Sequence, residues 1–316
     1  MIMWQAADPQ LWQGRIDVAE GPLAQRWHQQ VQVFAAPGSR QPAGSVLLGF
    51  ACDAGVARNH GRPGAAGGPS ALRRALAAFA WHGQCPVYDG GDVLCPGGAL
   101  EAAQAELAER VAAVLAAGHR PLIVGGGHEL TWGSWQGLAR HAVLHGQSRI
   151  GIVNFDAHFD LRAGAQGSSG TPFRQIAEDC ATRQQPFHYA CFGVARQANT
   201  AALYARAAAL GVCWREDDQL APWQLAEAQG ALANFLAGLD AVHLSIDLDV
   251  LPAASAPGVS APAARGVELA VLEALVDQVL ASGKLLLAEI AELNPACDID
   301  GRTARVAARL LSRLAR

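Results

Sequence analysis

The sequence predicts an α/β protein: a central, mainly parallel sheet of eight strands with helices on both faces. Three observations carry that expectation. From about residue 45, short apolar runs of β type alternate with longer Ala/Leu-rich stretches of helical period, the order of strand–helix–strand units. Of the 316 residues, 51% are hydrophobic, ample for a large core. No low-complexity linker and no solenoid-type repeat divides the chain, so residues 1–316 are counted as one domain, with 1–44 as an N-terminal extension.

Taken in order, the expected strands are "SVLLGFAC" (45–52), "PVYDGGDV" (86–93), "RPLIVGGG" (120–127), "RIGIVNFD" (149–156), "FHYACFGV" (187–194), "GVCWRE" (211–216), "AVHLSIDLDV" (241–250) and "KLLLAEIAEL" (284–293). Helices are expected at 99–117, 200–210, 222–238, 267–282 and 301–315, with Gly118 and Gly283 placed as stops. The stretch "NHGRPGAAGGPSALRRAL" (59–76) reads as a Gly-rich loop opening a helix. It lacks both the Walker Lys-Ser/Thr ending and the G-x-G-x-x-G spacing, so a close-packed turn is expected rather than a phosphate cradle.

Composition narrows the partners. A net charge of -4 offers no basic field for neutralising phosphates, which argues against nucleic acid and for a small-molecule substrate. Seven scattered cysteines without a C-x-x-C pair read as reduced thiols in a cytoplasmic protein. The N-terminus shows no basic region followed by an apolar stretch, and no apolar run reaches the roughly 18 residues of a membrane helix. Neither export nor membrane insertion is expected.

Ligands of open α/β sheets gather at the carboxyl ends of strands, where loops vary while the sheet holds their roots. Three expected strands end there in residues of metal-ligand type: His128 after "LIVGGG", Asp156, His158 and Asp160 in "NFDAHFD", and Asp247 and Asp249 in "SIDLDV". In an extended chain, residues two apart share a face, so each set can converge. A lone strand-end aspartate is more often a cap or a loop-former. Three such segments together point to metal, because four carboxylates in one crevice repel one another unless a cation balances them. Six ligands exceed one tetrahedral site and suit two divalent ions sharing carboxylates. With carboxylate and imidazole and no thiolate on offer, Mn2+ is the expected ion, two per chain.

"GGGHELTWG", "NFDAHFDLR", "SIDLDVLPAASAPGVSAP" and "EIAELNP" together resemble the ureohydrolase family of arginases, agmatinases and formimidoylglutamases, over roughly Gly61 to Arg309. The resemblance implies a three-layer α/β/α sandwich, arginase-like, with a binuclear manganese site and a homo-oligomeric assembly. It implies one ion held by His128 and Asp160 and the other by His158 and Asp249, with Asp156 and Asp247 bridging. Glu292 of "AELNP" is similar to the family residue that binds the planar amidinium or guanidinium of the substrate. An ionised carboxylate matches that fork of N–H donors. Glu289, three residues earlier, falls on the opposite face of its strand and is expected to be structural. In the mechanism so implied, hydroxide generated at the metals attacks the amidine carbon, and Asp160 carries a proton to the departing amine.

Departures from the family pattern bear on substrate. Where arginases and agmatinases carry a histidine in an H-G-x-P setting, this chain has "SSGTPF" (168–173). Arg162, two residues after Asp160, and Arg196 of "CFGVARQANT" are placed to grip substrate carboxylates, since an arginine matches a carboxylate with two hydrogen bonds. Asn199 is expected to join them; Ser169 and Thr171 either bond the substrate or shape their loop. These segments look like the formimidoylglutamase branch, whose substrate, N-formimidoyl-L-glutamate, has an amidine for Glu292 and two carboxylates for the arginines. A guanidino-acid hydrolase releasing urea is the nearest rival, and a metal-binding protein without catalysis is the rival of another class.

Overall fold

The computed structural model describes residues 3–35, 41–146 and 149–316. Its strands are β1 (Trp4–Gln5), β2 (Gln32–Val33), β3 (Ser45–Ala51), β4 (Val87–Leu94), β5 (Arg120–Gly125), β6 (Ile150–Phe155), β7 (His188–Val194), β8 (Cys213–Glu216), β9 (Ala241–Asp247) and β10 (Leu285–Ala291). Its α-helices are α1 (Trp27–Gln30), α2 (Ala54–Arg58), α3 (Gly68–Ala77), α4 (Leu100–Ala116), α5 (Leu130–Leu144), α6 (Pro172–Thr182), α7 (Ala201–Ala209), α8 (Leu225–Ala237), α9 (Leu269–Ala281) and α10 (Arg302–Leu314).

One sheet runs β1-β4-β3-β5-β10-β9-β6-β7-β8, with β2 also on β4. Every pairing is parallel except β1 with β4. All eight expected strands are present, and the two-residue β1 and β2 raise the count to ten. These two come from the N-terminal segment, which covers the outer edge of β4 and so shields unpaired backbone groups. Trp12 Nε1 reinforces the cover by donating to Asp89 Oδ2 at 2.7 Å.

The inner strands are buried on both faces, and successive residues part between two cores. Leu122 and Val124 pack with α3, α8, α9 and α10, whereas Ile123 between them packs with α4, α5, α6 and α7. The result is three layers. α10 shows how the outer layers attach: Ala304, Ala307, Ala308, Leu311 and Leu314 fall on one buried stripe. Each leucine so covered contributes roughly 1.5–3 kcal/mol relative to exposure. Gly118 (φ 78°) and Gly283 (φ 68°) close their helices in the left-handed region, as their placement predicted.

Four α-helices were not expected: the short α1 and α2, and the longer α5 and α6. α5 is buried on nearly every side, so its sequence carries no amphipathic period. Its glycines let it press against α4: a Cβ on Gly133 would stand 2.9 Å from Gln104 O, and one on Gly137 2.5 Å from Ala108 O. α6 buries Phe173, Ile176, Ala177 and Cys180, a legible i, i+3, i+4, i+7 pattern behind a proline at its first turn. Among the described residues, no helix is long and apolar enough to cross a membrane.

Candidate metal centre and the cavity beside it

β5, β10, β9 and β6 are consecutive in the sheet, and their carboxyl ends deliver His128, Glu292, Asp247 and Asp156 into one crevice. The chain passes from β5 to β6 across two intervening strands, which opens the crevice at a topological switch point. All six ligand candidates converge there, though not by the alternation the sequence suggested. β6 stops at Phe155 and the chain bends at residues 157–158, and Asp160 sits at φ 48°. β9 stops at Asp247, whose Oδ1 accepts from the Asp249 N–H at 2.8 Å and starts a 3-10 turn over Leu248–Val250. Turns do the aiming, not extended strand.

Two groups result. In the first, His128 Nδ1 has Asp160 Oδ2 at 3.0 Å and Asp156 Oδ2 and Asp247 Oδ2 each at 3.1 Å. In the second, His158 Nδ1 lies 3.0 Å from Asp249 Oδ2 and 3.5 Å from Asp156 Oδ1. Asp156 therefore gives one oxygen to each group. Asp247 joins the first group through Oδ2, and its Oδ1 accepts from the Asp249 N–H as Asp156 Oδ1 does from the His158 N–H.

A divalent cation fits the first group on the evidence of the His128 ring. Nε2 lies 2.8 Å from Ser245 Oγ, which leaves Nδ1 to face the carboxylates. Nδ1 is buried and makes no directional hydrogen bond, although three oxygens surround it. Atoms so arranged are disposed about a common centre rather than as an ion pair. The electrostatics agree: burial and the negative charges of Asp249 and Asp156 push Asp247 well above the ordinary carboxylate range, and burial and Asp156 push Asp160 up to about 6. Burial likewise opposes the ionisation of Asp156, but the flanking imidazoles override it and hold the group low.

A cavity of about 290 Å3 opens beside these groups, lined by His128, His158, Asp160, Asp247, Asp249 and Glu292 on its floor. Arg162, Ser169, Asn59, His60 and Arg62 stand around it. Glu292 Oε1 accepts from the His128 N–H at 3.0 Å, while buried Oε2 has no partner. Burial and the nearby Glu129 push Glu292 up to about 8, so its carboxylate calls for a cationic guest. Three of the five described non-glycine residues with positive φ, His60 (60°), Asp160 (48°) and Glu292 (67°), line this one cavity. Such backbone strain concentrates where a site fixes side-chain direction.

The expected substrate contacts divide. Arg162 lines the cavity, is exposed, and makes no ion pair among the described residues. Ser169 also lines it, accepting from Asn59 Nδ2 at 3.2 Å. The other three do not reach it. Thr171 uses its hydroxyl within its own turn, against Ser168 N and O and Gln175 Oε1. Asn199 is buried and clamps the metal-ligand loop, donating to Ala157 O and Ala195 O and accepting from Phe159 N. Arg196 faces a neighbouring cavity and is held by both oxygens of Glu216 at 3.0 Å. That cavity, about 590 Å3, touches the centre only through Ala157 and His158.

Glu289 does not line the cavity; it accepts from Thr131 Oγ1 and stands 3.1 Å from His243 Nε2. A structural role was expected for Glu289; its partner His243 was not foreseen. Asn59, His60 and Arg62 were missed. They belong to the Gly-rich loop taken for a turn, and no spacing in "NHGR" marks them. Arg62 is anchored by Nε to Ser260 O at 2.9 Å and by Nη2 to Val259 O at 2.6 Å, which ties that loop to the one after β9.

Fold and crevice define an α/β protein whose strand ends assemble a carboxylate–imidazole cation centre beside a small polar cavity. The model of the arginase family matches residues 43–315, and the chain belongs to that family. A formimidoylglutamase of Aeromonas salmonicida (strain A449) is 57% identical over 305 residues, covering 96% of each chain. The crystal structure of formimidoylglutamase from Bacillus subtilis subsp. subtilis str. 168 shares the fold, with TM-score 0.81 at 22% identity over 92% of this chain and 90% of that one. The structure of Trypanosoma cruzi formiminoglutamase with Mn2+2 matches with TM-score 0.76 and 26% identity, covering 88% of this chain and 95% of that one.

Proposed function

We propose that the protein hydrolyses N-formimidoyl-L-glutamate to L-glutamate and formamide at a centre of two Mn2+ ions. One observation carries the reading. The same cavity floor that gathers six cation ligands also holds the unpartnered Glu292 Oε2, and an unpaired guanidinium, Arg162, stands at its rim. The substrate is cationic at the amidinium and anionic at its carboxylates, and the cavity is the reverse at each end. The 57% identity to an A. salmonicida formimidoylglutamase supports the choice of substrate, and T. cruzi formiminoglutamase with Mn2+2 supports the metal.

His128, Asp156, Asp160 and Asp247 would hold one ion, and Asp156, His158 and Asp249 the other. When bound, the cations supply an acidified water, hence hydroxide near neutral pH, and a positive field for charge developing on the substrate. The chain's own residues do the rest. Glu292 Oε2 accepts from the amidinium N–H groups and presents the carbon toward the ligand cluster, while its Oε1 stays fixed by the His128 N–H. Arg162 binds a carboxylate at the opposite end and sets the substrate's reach into the cavity. Asp160 passes the proton of the attacking water to the departing amine of the glutamate portion. Asn199 keeps Ala157 and Phe159 in place, and with them the loop carrying His158. The seven free cysteines support a reducing, cytoplasmic setting.

The test is turnover by the manganese-loaded protein. Formamide and glutamate from formimidoylglutamate are expected, with no urea from guanidino acids. Urea without formimidoylglutamate turnover would assign the guanidino-acid reading, and binding without turnover of either would assign a non-catalytic one.

A further inference from the structure

Two cysteines lie beside the centre and take no part in it. β3 and β4 are parallel neighbours with Ala51 opposite Leu94, so the next residues, Cys52 and Cys95, leave the sheet side by side. Both are free thiols, and each shifts the ionisation of the other. Cys52 is buried, with 1% of its surface exposed, whereas Cys95 is partly open to solvent. Glu129, Asp53 and Arg58 are the charged groups around Cys95, and Arg58 is itself paired with Glu101. The neighbouring Cys52 and Arg58 draw Cys95 below the usual thiol range, against burial and Glu129. The neighbouring Cys95, burial and Glu129 push Cys52 the other way. A partly exposed thiol drawn below its usual range, beside a buried thiol pushed above it, is the arrangement of an oxidisable pair.

The pair is joined to the metal centre by specific atoms. Cys52 Sγ donates to Glu129 Oε1 at 3.7 Å, and the same oxygen accepts from the Gly55 N–H at 2.8 Å. Glu129 follows His128 directly. The glycine loop before His128 lies on the Cys52 peptide, with Gly127 N donating to Cys52 O at 3.0 Å and Gly126 N to Phe50 O at 2.9 Å. A Cβ on Gly126 would come within 2.0 Å of Cys52 O, so that loop cannot shift independently of Cys52.

We propose that Cys52 and Cys95 are an oxidation site for hydroperoxides, and that their disulfide slows the enzyme by drawing the Cys52 sulfur away from Glu129. The Cys95 thiolate attacks one peroxide oxygen, the O–O bond breaks, and hydroxide leaves, giving a sulfenic acid. The Cys52 sulfur then attacks the Cys95 sulfur, the S–O bond breaks, and the departing hydroxide takes up the Cys52 proton as water. Two thiols and one hydrogen peroxide give one disulfide and two waters.

The experiment uses the full-length, manganese-loaded protein treated with hydrogen peroxide, alkylated, and digested without reduction. A linked peptide containing Cys52 and Cys95 is expected, lighter than its two parts by about 2 Da for the two hydrogens lost. The hydrolysis rate falls in parallel, and dithiothreitol restores it. Cys95→Ser, with Cys95→Ala as a second variant, forms no such link and keeps its rate through the same treatment. Recovery of both cysteines alkylated overturns the proposal. So does a link with an unchanged rate, or equal loss of rate in the Cys95 variants. The linkage is read by mass, independently of which amidine or guanidine the enzyme turns over.

Discussion

The floor and the rim of the cavity are built on different terms. On the floor, His128, Asp156, Asp247 and Asp249 are buried, rooted at the ends of β5, β6 and β9, and cross-tied by backbone donors such as His158 N to Asp156 Oδ1 at 2.6 Å. On the rim, Arg162 is exposed on a loop, its backbone held by its N–H to Gly170 O at 2.9 Å and by Arg174 Nε donating to its carbonyl at 2.7 Å. The floor is over-determined, so one substitution there disturbs every neighbour. The rim is modular, so a change there alters one contact. The contrast separates general chemistry, held by the sheet, from choice of substrate, held by loops.

Four substitutions test that contrast, in descending order of effect. Asp156→Ala removes an oxygen from both ligand groups. Loss of a partner behind a metal ligand already costs about 10–100-fold, so loss of this ligand is expected to exceed the upper figure in kcat/KM and to strip manganese, measured by elemental analysis. A metal-replete, active variant would dissolve the assignment of the floor. Glu292→Gln keeps an acceptor for the His128 N–H but loses the charge facing the amidinium. A charge-assisted hydrogen bond of about 1.5–3 kcal/mol corresponds to a drop of roughly 10–100-fold in kcat/KM, with manganese content retained. Arg162→Ala should raise KM by roughly tenfold through the loss of one such bond, leaving kcat, metal content and thermal stability near wild type. Unchanged KM would remove Arg162 from the rim's function. Arg196→Ala sits at the end of the series: 73% exposed and paired with Glu216, it should leave steady-state kinetics unaltered.

The fold was legible where burial is two-sided. Runs such as "PLIV" and "LLLAEIA" read as strands because nothing but a covered sheet tolerates them beside helical periods. α5 was illegible for the complementary reason, a helix buried all round having no polar face to set a period. At the site, residue type picked out six residues that do converge, although the assumed geometry was wrong. Aspartate at a strand end turns the chain by binding the N–H two residues on, as Asp156 does with His158 and Asp247 with Asp249, so the turn itself supplies the convergence. The rim resisted reading because its answers lie far along the chain. Nothing near Arg196 announces Glu216, and nothing in "NHGR" announces Ser260, which accepts from Arg62 N at 2.8 Å. Asn199 failed likewise, its partners Ala157 and Phe159 lying some forty residues earlier.

The position of β10 has a consequence for how the protein is made. Last of the strands to be synthesised, it lies between β5 and β9, which do not pair with each other. Before Leu285–Ala291 enters, the emerging chain can form only two half-sheets, one ending in the strand that leads to His128 and the other in the strand that leads to Asp247. A nascent chain halted before Leu285 carries all six ligand candidates and still lacks the centre, and manganese retention by such a chain would contradict this. The ligands are supplied early; the keystone that sets them face to face arrives near the end of translation.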